Sequence, residues 1–407
     1  MSDVSPYQFK LKTLQPGIDF EGYGHKVFSR VVINDAINDM YPYMEVHVND
    51  VGGIIVDGIV SIEGVEFTST IGSDDPDYDG WIVNEWYGRN NDTNDILLGG
   101  NLGGMIGMAF RHKYKAIDVP KTRAWNDTIS NIVKDIVSKD FGVTESDRLF
   151  ITDTVGKKIR YQAGINDENF INTLTHRAYS STYEYSPFIS FFNVYEEFYF
   201  CSIHDIFNIA KRVDDVPYTI EGTIDASTDV YKLKKVEQIN VMGLSENKNL
   251  YKVKVTKFTN GAPEEEFTDI KNHALNNDSQ LKLLINKDFK SQYTYFSKNR
   301  YGLYNKAKDL EDYKGFRNSL YLENLFNFKI TCIVNFHPNI AVGRLLALDV
   351  GSTLEFKGEK SKEYSGDWLI INNKIFFDFD GVPYNVVVLG RPGLLPDSNH
   401  PFKDSIE

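Results

Sequence analysis

The densest run of potential ligands in this sequence is Asp74, Asp75, Pro76, Asp77, Tyr78, Asp79 and Gly80. Asp75, Asp77, Asp79 and Gly80 match the opening of a calcium loop, where oxygens recur at alternate positions and a glycine makes the sharp turn. The match then stops. The bidentate acid belongs at the twelfth position, which is Trp86, while Glu85 sits one residue early. Pro76 at the second position also resists the required backbone path. A solvated acidic turn between strands outweighs a metal site here.

Two other constellations fail on geometry. Cys201 and His204 look like a metal pair or a thiol–imidazole couple. If Cys201 and Ile203 lie on a strand, His204 faces the other side, and one ion cannot meet both without a bend. Cys332 and His337 stand five apart with no second pair at zinc spacing. Ordinary β packing is the favoured reading for both. Gly99, Gly100, Gly103, Gly104 and Gly107 suggest a phosphate loop, but no Lys-Ser/Thr ending follows and the glycine order is not that of a dinucleotide site. A loop tip or tight strand crossing fits better. No Gly-x-Ser-x-Gly elbow occurs. Pairs of acids for glycan cleavage abound among 57 Asp and Glu, and abundance of that kind singles out none. No catalytic, cofactor-binding or metal-ligating residue is assigned, and no cofactor is expected.

The elements that would position such residues are mostly strands. At 407 residues the chain has room for about two to four domains. Aromatic residues reach 14%, with 27 Phe and 24 Tyr, which suits strands and subunit interfaces. A net charge of −13 argues against a surface that grips nucleic acid or an anionic membrane. Two cysteines make no disulfide framework, and the N-terminus shows no basic-then-apolar leader, so synthesis in the cytoplasm is expected. No run approaches the 18 or so apolar residues of a membrane-spanning helix.

Residues 1–118 read as a first antiparallel β-barrel. Met44 to Val48 is extended, Ile54 to Ile62 meets Val65 to Ile71 across Glu63 and Gly64, and Trp81 to Tyr87 continues the sheet. Met105 to Val119 reads as a long strand or strand pair, and Ile33 to Met40 as a brief helix or turn. Residues 119–212 read as a small α/β domain. A helix capped by Asn126 or Asp127 carries Ile129, Ile132, Val133, Ile136 and Val137 on one face. Gly142 ends that helix. A second helix runs from Asp167 to Tyr179, capped by Asn166 or Asp167, before strands Phe188 to Tyr195 and Glu197 to Ile203.

Residues 213–258 and 326–393 read as a second barrel, split by a helical insertion at 259–325 whose Leu303, Ala307, Leu310 and Tyr313 approximate helical spacing. Near its end, Lys374 to Phe379 faces Pro383 to Leu389 across Asp380 and Gly381, a strong hairpin signal because type I′ turns need positive φ. Residues 394–407 read as an extended tail. The fold class is β-rich α+β.

Several segments resemble the baseplate hub proteins of contractile phage tails, together with late-control and VgrG-type proteins. Arg111 to Tyr114, followed by Trp125 to Ile136, is similar to the start of that family's second domain. Phe170 to Tyr179 resembles the next helix, and Phe188 to Ile203 the strand pair after it. Pro338 to Gly343 and Ser365 to Ile370 resemble the last barrel, and Tyr43 to Ile71 is similar in pattern to the first. The likeness covers most of the chain in patches, with residues 259–325 matching poorly.

The resemblance implies two tube-like barrels and a homotrimer. Three chains then present six barrels, adapting a hexameric tail tube to a trimeric central spike, with DNA passing through the bore without specific binding. Tail tube protein, a separate spike protein and other baseplate proteins are the expected partners, the virion tail the expected location, and no enzymatic activity is expected. Two rivals stand beside it: a tail enzyme cleaving cell-wall glycan, and a receptor- or carbohydrate-binding tail module using Trp81, Trp86 and Tyr87.

Overall fold

The computed structural model describes residues 7–13, 28–50, 63–74, 81–89, 97–99, 103–182, 186–215, 217–219, 236–242, 250–259, 262–269, 286–295, 315, 326, 328–349, 365–378 and 383–391. Strands dominate. The N-terminal part contributes β1 (Gln8–Thr13), β2 (Phe28–Ala36), β3 (Tyr43–Asp50), β4 (Glu66–Gly72), β5 (Trp81–Arg89), β6 (Leu97–Gly99) and β7 (Gly103–His112). A short helix α1 (Lys113–Ile117) leads to β8 (Lys121–Asp127), α2 (Ile129–Asp140), β9 (Leu149–Ile151), β10 (Lys158–Ile165) and α3 (Asp167–Thr175). β11 (Phe188–Phe192), β12 (Phe198–Ser202) and α4 (Ile203–Ile209) complete the middle. Then come β13 (Tyr218–Thr219), β14 (Val236–Met242), β15 (Leu250–Thr259), β16 (Ala262–Asp269) and β17 (Asn286–Tyr295). The last strands are β18 (Phe328–Asn335), β19 (Leu345–Asp349), β20 (Gly366–Asp378) and β21 (Tyr384–Arg391).

One sheet of 13 strands unites the two ends of the chain. Its path runs β1-β4-β5-β7-β3-β2-β20-β21-β18-β14, with β6, β13 and β19 attached beside it. The N-terminal strands meet the C-terminal ones at a single seam, where β2 pairs antiparallel with β20 from Arg30–Asp378 to Ala36–Asn372. Among the described residues the path is open, ending at β1 and at β14. Two-residue alternation sets what the sheet buries. β5 turns Ile82, Asn84 and Trp86 inward, and Ile82 and Trp86 join Phe67, Ile71, Val46 and Phe110 in one core. Ile375 and Phe377 of β20 lie in that same core, so the seam is packed as well as hydrogen-bonded.

The middle of the chain packs on this sheet. α2 buries Ile129, Ile132, Val133, Ile136 and Val137 against Phe170, Ile171 and Leu174 of α3 and Phe192, Phe198 and Phe200 of the β11–β12 pair. At about 1.5–3 kcal/mol per buried side chain, that face outweighs the ~1 kcal/mol available from its N-cap, Thr128. The opposite face of β11–β12 lays Ile189, Phe191, Tyr199 and Cys201 on Ile330, Cys332, Val334 and Leu389 of the main sheet.

Several expectations change. Of the helix or turn expected over Ile33 to Met40, the turn holds only from Ile37 onward, where Asp39 N–H donates to Ala36 O; Ile33 to Ala36 end β2, because both edges of that strand are filled, by β3 and β20. β4 has β1 on one side and β5 on the other, so these two pairings replace a hairpin with Ile54 to Ile62, which lie outside the described residues. Met105 to Val119 divides into β7 and α1, with the His112 ring capping the helix by accepting from Tyr114 N–H. Helix α2 is capped by Thr128, and α3 by Asn166 with its end at Thr175. Helix α4 was not foreseen.

β15 does not join the main sheet. It pairs antiparallel with β16 and parallel with β17 in a separate three-stranded sheet, so the described part of residues 259–325 includes strands. The helix expected around Leu303 to Tyr313, the turn at Asp380 and Gly381, and residues 394–407 lie outside the described residues. β20 and β21 pair antiparallel as expected of that hairpin, but Phe376 rather than Phe377 stands opposite Tyr384, one residue away from the register that a two-residue turn at Asp380 and Gly381 would set.

Candidate functional site

The most elaborate polar assembly among the described residues is built on the five-residue connection between β11 and β12. The sequence there is Asn193, Val194, Tyr195, Glu196 and Glu197, polar residues between two aromatic strands. Asn193 N–H donates to Glu197 O (3.1 Å), Glu196 N–H donates to Asn193 O (2.9 Å), and Asn193 Oδ1 accepts from Tyr195 and Glu197 N–H. The turn needs Glu196 at φ 57°, a left-handed conformation that a side chain adopts at a cost. Its consequence is that two successive carboxylates engage different parts of the molecule.

Glu196 reaches the N-terminal half. Its carboxylate takes Lys113 Nζ (2.6 Å), Arg148 Nη2 (2.6 Å) and the Tyr114 hydroxyl (3.0 Å), and Lys113 also reaches Glu85 (3.0 Å). Burial raises the Glu196 pKa, but Lys113 and Arg148 outweigh it and hold the carboxyl below its usual value. Beneath them His112 is wholly buried, edge-on to Trp86 and Tyr114, and burial drives its pKa down to about 3.

Glu197 reaches the C-terminal half. Oε1 accepts from Lys211 Nζ (2.7 Å) and Arg344 Nη2 (3.0 Å), and Oε2 from Asn193 Nδ2 (2.7 Å) and the Tyr199 hydroxyl (3.2 Å). Burial again pushes its pKa upward and is overcome, chiefly by Arg344. Arg344 lies in the β18–β19 connection, donates to Asn339 O (3.1 Å) and stacks 4.1 Å from the Tyr195 ring centroid. Tyr195 in turn donates its hydroxyl to Pro338 O.

Asp35 closes the assembly from the seam. Its Oδ2 accepts from Val194 N–H of the turn (3.2 Å) and Val342 N–H of the β18–β19 connection (3.3 Å). Gly343, at φ +84°, lets that connection approach; a Cβ there would sit 2.9 Å from Phe191 Cζ and 3.0 Å from Tyr199 Cζ. Asn373, opposite Asp35 across the seam, donates to Ile340 O and accepts from Asn385.

This arrangement binds chain to chain. Both glutamates are held by cations and hydroxyls, so neither carboxylate is free to act as a general base in this arrangement. Of the residues weighed for chemistry, Asp74 pairs with Lys10 at 3.7 Å, while Asp75 to Gly80 lie outside the described residues. Gly99 pairs with Gly103 where β6 joins β7, so the glycine run links two paired strands and no helix N-terminus follows it. Cys201 and Cys332 are free and buried; burial pushes Cys332 up to about 12 and Cys201 higher, so neither is a ready nucleophile. The His204 side chain lies outside the described residues. Trp86 is buried with its indole N–H on Ser69 Oγ (2.7 Å), so it is not available to an aromatic binding patch with Trp81 and Tyr87. Among the described residues no cluster of three or more His, Cys, Asp or Glu is arranged for a metal, and no helix is long and apolar enough to cross a membrane. A depression of about 250 Å³ beside α2 is lined by exposed Asn131, Lys134 and Asp153, with Ser130 its one buried polar residue.

Sequence reasoning marked this strand pair but not its turn. An Asn followed by two acids between aromatic strands is the signal that was there to read; its partners, Lys113, Arg148, Lys211 and Arg344, are scattered along the chain.

No family model and no curated protein matches this sequence. Solved structures do match it over nearly its whole length. The 43 kDa tail protein of prophage MuSo2 from Shewanella oneidensis superimposes with a TM-score of 0.52 at 12% identity, over 95% of this chain and 98% of that one. A tail protein from Neisseria meningitidis MC58 gives a TM-score of 0.52 at 10% identity, over 96% and 98%. A Francisella PdpA-VgrG complex gives a TM-score of 0.51 at 12% identity, over 98% of this chain and 60% of the other. The chain has the β-rich fold of these tail and VgrG proteins.

Proposed function

We propose that this protein is a structural component of a phage tail: a baseplate hub that assembles as a homotrimer, joins the hexameric tail tube to a trimeric central spike, and lines the channel for DNA. The observation that carries this reading is the β2–β20 seam, which makes one curved sheet from the two ends of the chain. A chain built that way supplies two adjoining segments of a cylinder wall, and three such chains supply six. An open sheet path also suits cyclic closure, which covers edge strands that would otherwise promote uncontrolled pairing. The charge of −13 suits a bore through which DNA passes without sticking. The tail proteins that share the fold support the placement in a virion tail.

In this reading the paired glutamates are a clamp that holds the α/β domain on the wall, and no reaction is catalysed. Mass photometry and negative-stain microscopy of the purified protein, alone and with tail tube protein, test it. A three-chain ring with a central hole is expected. A persistent monomer in both conditions, or hydrolysis of purified peptidoglycan, would overturn it.

A further inference from the structure

We propose that Asp35 makes the contact between the α/β domain and the main sheet proton-sensitive, tight when its carboxyl is neutral and loosened when it ionises. The side chain is fully buried at the end of β2. Its Oδ2 holds backbone N–H groups from two separate segments, at Val194 and Val342, while Oδ1 has no hydrogen-bond partner among the described residues. The carbonyl oxygen of the protonated acid still accepts from both N–H groups; a carboxylate accepts more strongly, so these two bonds favour ionisation, and burial outweighs them. The bare Oδ1 is what the charged form cannot tolerate, because half of a delocalised negative charge is then buried without a donor.

The surrounding charges do not rescue it. The turn contributes Tyr195 and Glu197, a second buried carboxylate that opposes ionisation, and β12 contributes Tyr199; burial keeps both tyrosines neutral. The β18–β19 connection contributes Arg344, which favours ionisation but is committed to Glu197, and His337, whose Nδ1 accepts from Asn339 N–H. Lys211 is likewise spent on Glu197. Across the seam β20 sets uncharged Asn373 opposite Asp35 and exposed Lys374 opposite Asn34. Burial leads this balance and raises the carboxyl to about 7, against the ordinary 3.8.

The sign follows from linkage. Between about 4 and 7 the closed contact holds a proton that the opened one releases, so rising pH favours opening, and above 7 the effect levels off. Amide hydrogen exchange at Val194 and Val342 in the full chain reads this directly. After correction for intrinsic exchange, protection should fall about tenfold per pH unit from pH 5 to 7 and then flatten. Asp35→Asn should abolish that slope. If the variant does not fold, carboxyl ¹³C NMR of the wild-type protein serves alone, with an Asp35 midpoint near 7 expected. Protection independent of pH in the wild type, a slope kept in Asp35→Asn, or a midpoint below 5 would each overturn the proposal.

Discussion

Arg344 Nη2 sits 3.0 Å from Glu197 Oε1, across 147 residues of sequence, with both side chains almost entirely buried. A pair so enclosed contributes little net stability when intact, since desolvation offsets most of its attraction. Removing one partner is different, because the other is left as a bare buried charge. Glu197→Gln strands Arg344 and Lys211 and should cost about 3–5 kcal/mol in urea unfolding. Replacing Arg344 by Met in the Glu197→Gln background should recover part of that loss; a double variant worse than the sum of the singles would contradict this account.

Glu196 combines strain with ion pairing, and two substitutions separate them. Glu196→Ala loses Lys113, Arg148 and Tyr114 yet keeps the left-handed backbone at φ 57°. Glu196→Gly loses the same contacts and releases the strain. Chemical denaturation should therefore find the Gly variant more stable than the Ala variant by about 1 kcal/mol.

His112 sets the acid limit of the fold. Its pKa is lowered to about 3 in the folded chain and is near 6.5 when unfolded, so the unfolded state binds the extra proton between those values. This contribution is complete above pH 6.5 and is lost as pH falls toward 3, by up to ~5 kcal/mol. In thermal melts the Tm of His112→Asn should rise relative to that of wild type as pH falls from 6.5 to 4. Asp35 acts in the opposite direction over the same range, so wild-type melts read their difference and the variants read each alone.

Gly343 permits the contact between the β18–β19 connection and the β11–β12 pair. Gly343→Ala adds a positive-φ penalty and a methyl group 2.9 Å from Phe191 Cζ. A loss of about 2–3 kcal/mol is expected, seen as a lower urea midpoint. An unchanged midpoint would mean that the connection is free to move away.

What could be read along the chain was local. The spacing of Ile129, Ile132, Val133, Ile136 and Val137 is enough to specify helix α2 and its buried face, because a 3.6-residue period acts within a few turns. Strands β3, β5, β15, β18 and β21 were legible from runs of β-branched and aromatic residues for the same reason. Ile33 to Ala36 misled, since buried Asn34 and Asp35 look like turn residues until their distant partners are in place.

By itself the sequence determined a β-rich chain with an α/β middle and a hairpin near its end. Only the tertiary structure decided that β2 pairs with β20, that β15 belongs to a separate sheet, and that Glu196 and Glu197 divide their cations between the two ends of the chain. The reason is physical. A two-residue alternation states which face of a strand is apolar but is silent about the strand beside it. Backbone hydrogen bonds are the same for every residue, so neighbours are chosen by the packing and buried charges of segments brought together from far along the chain.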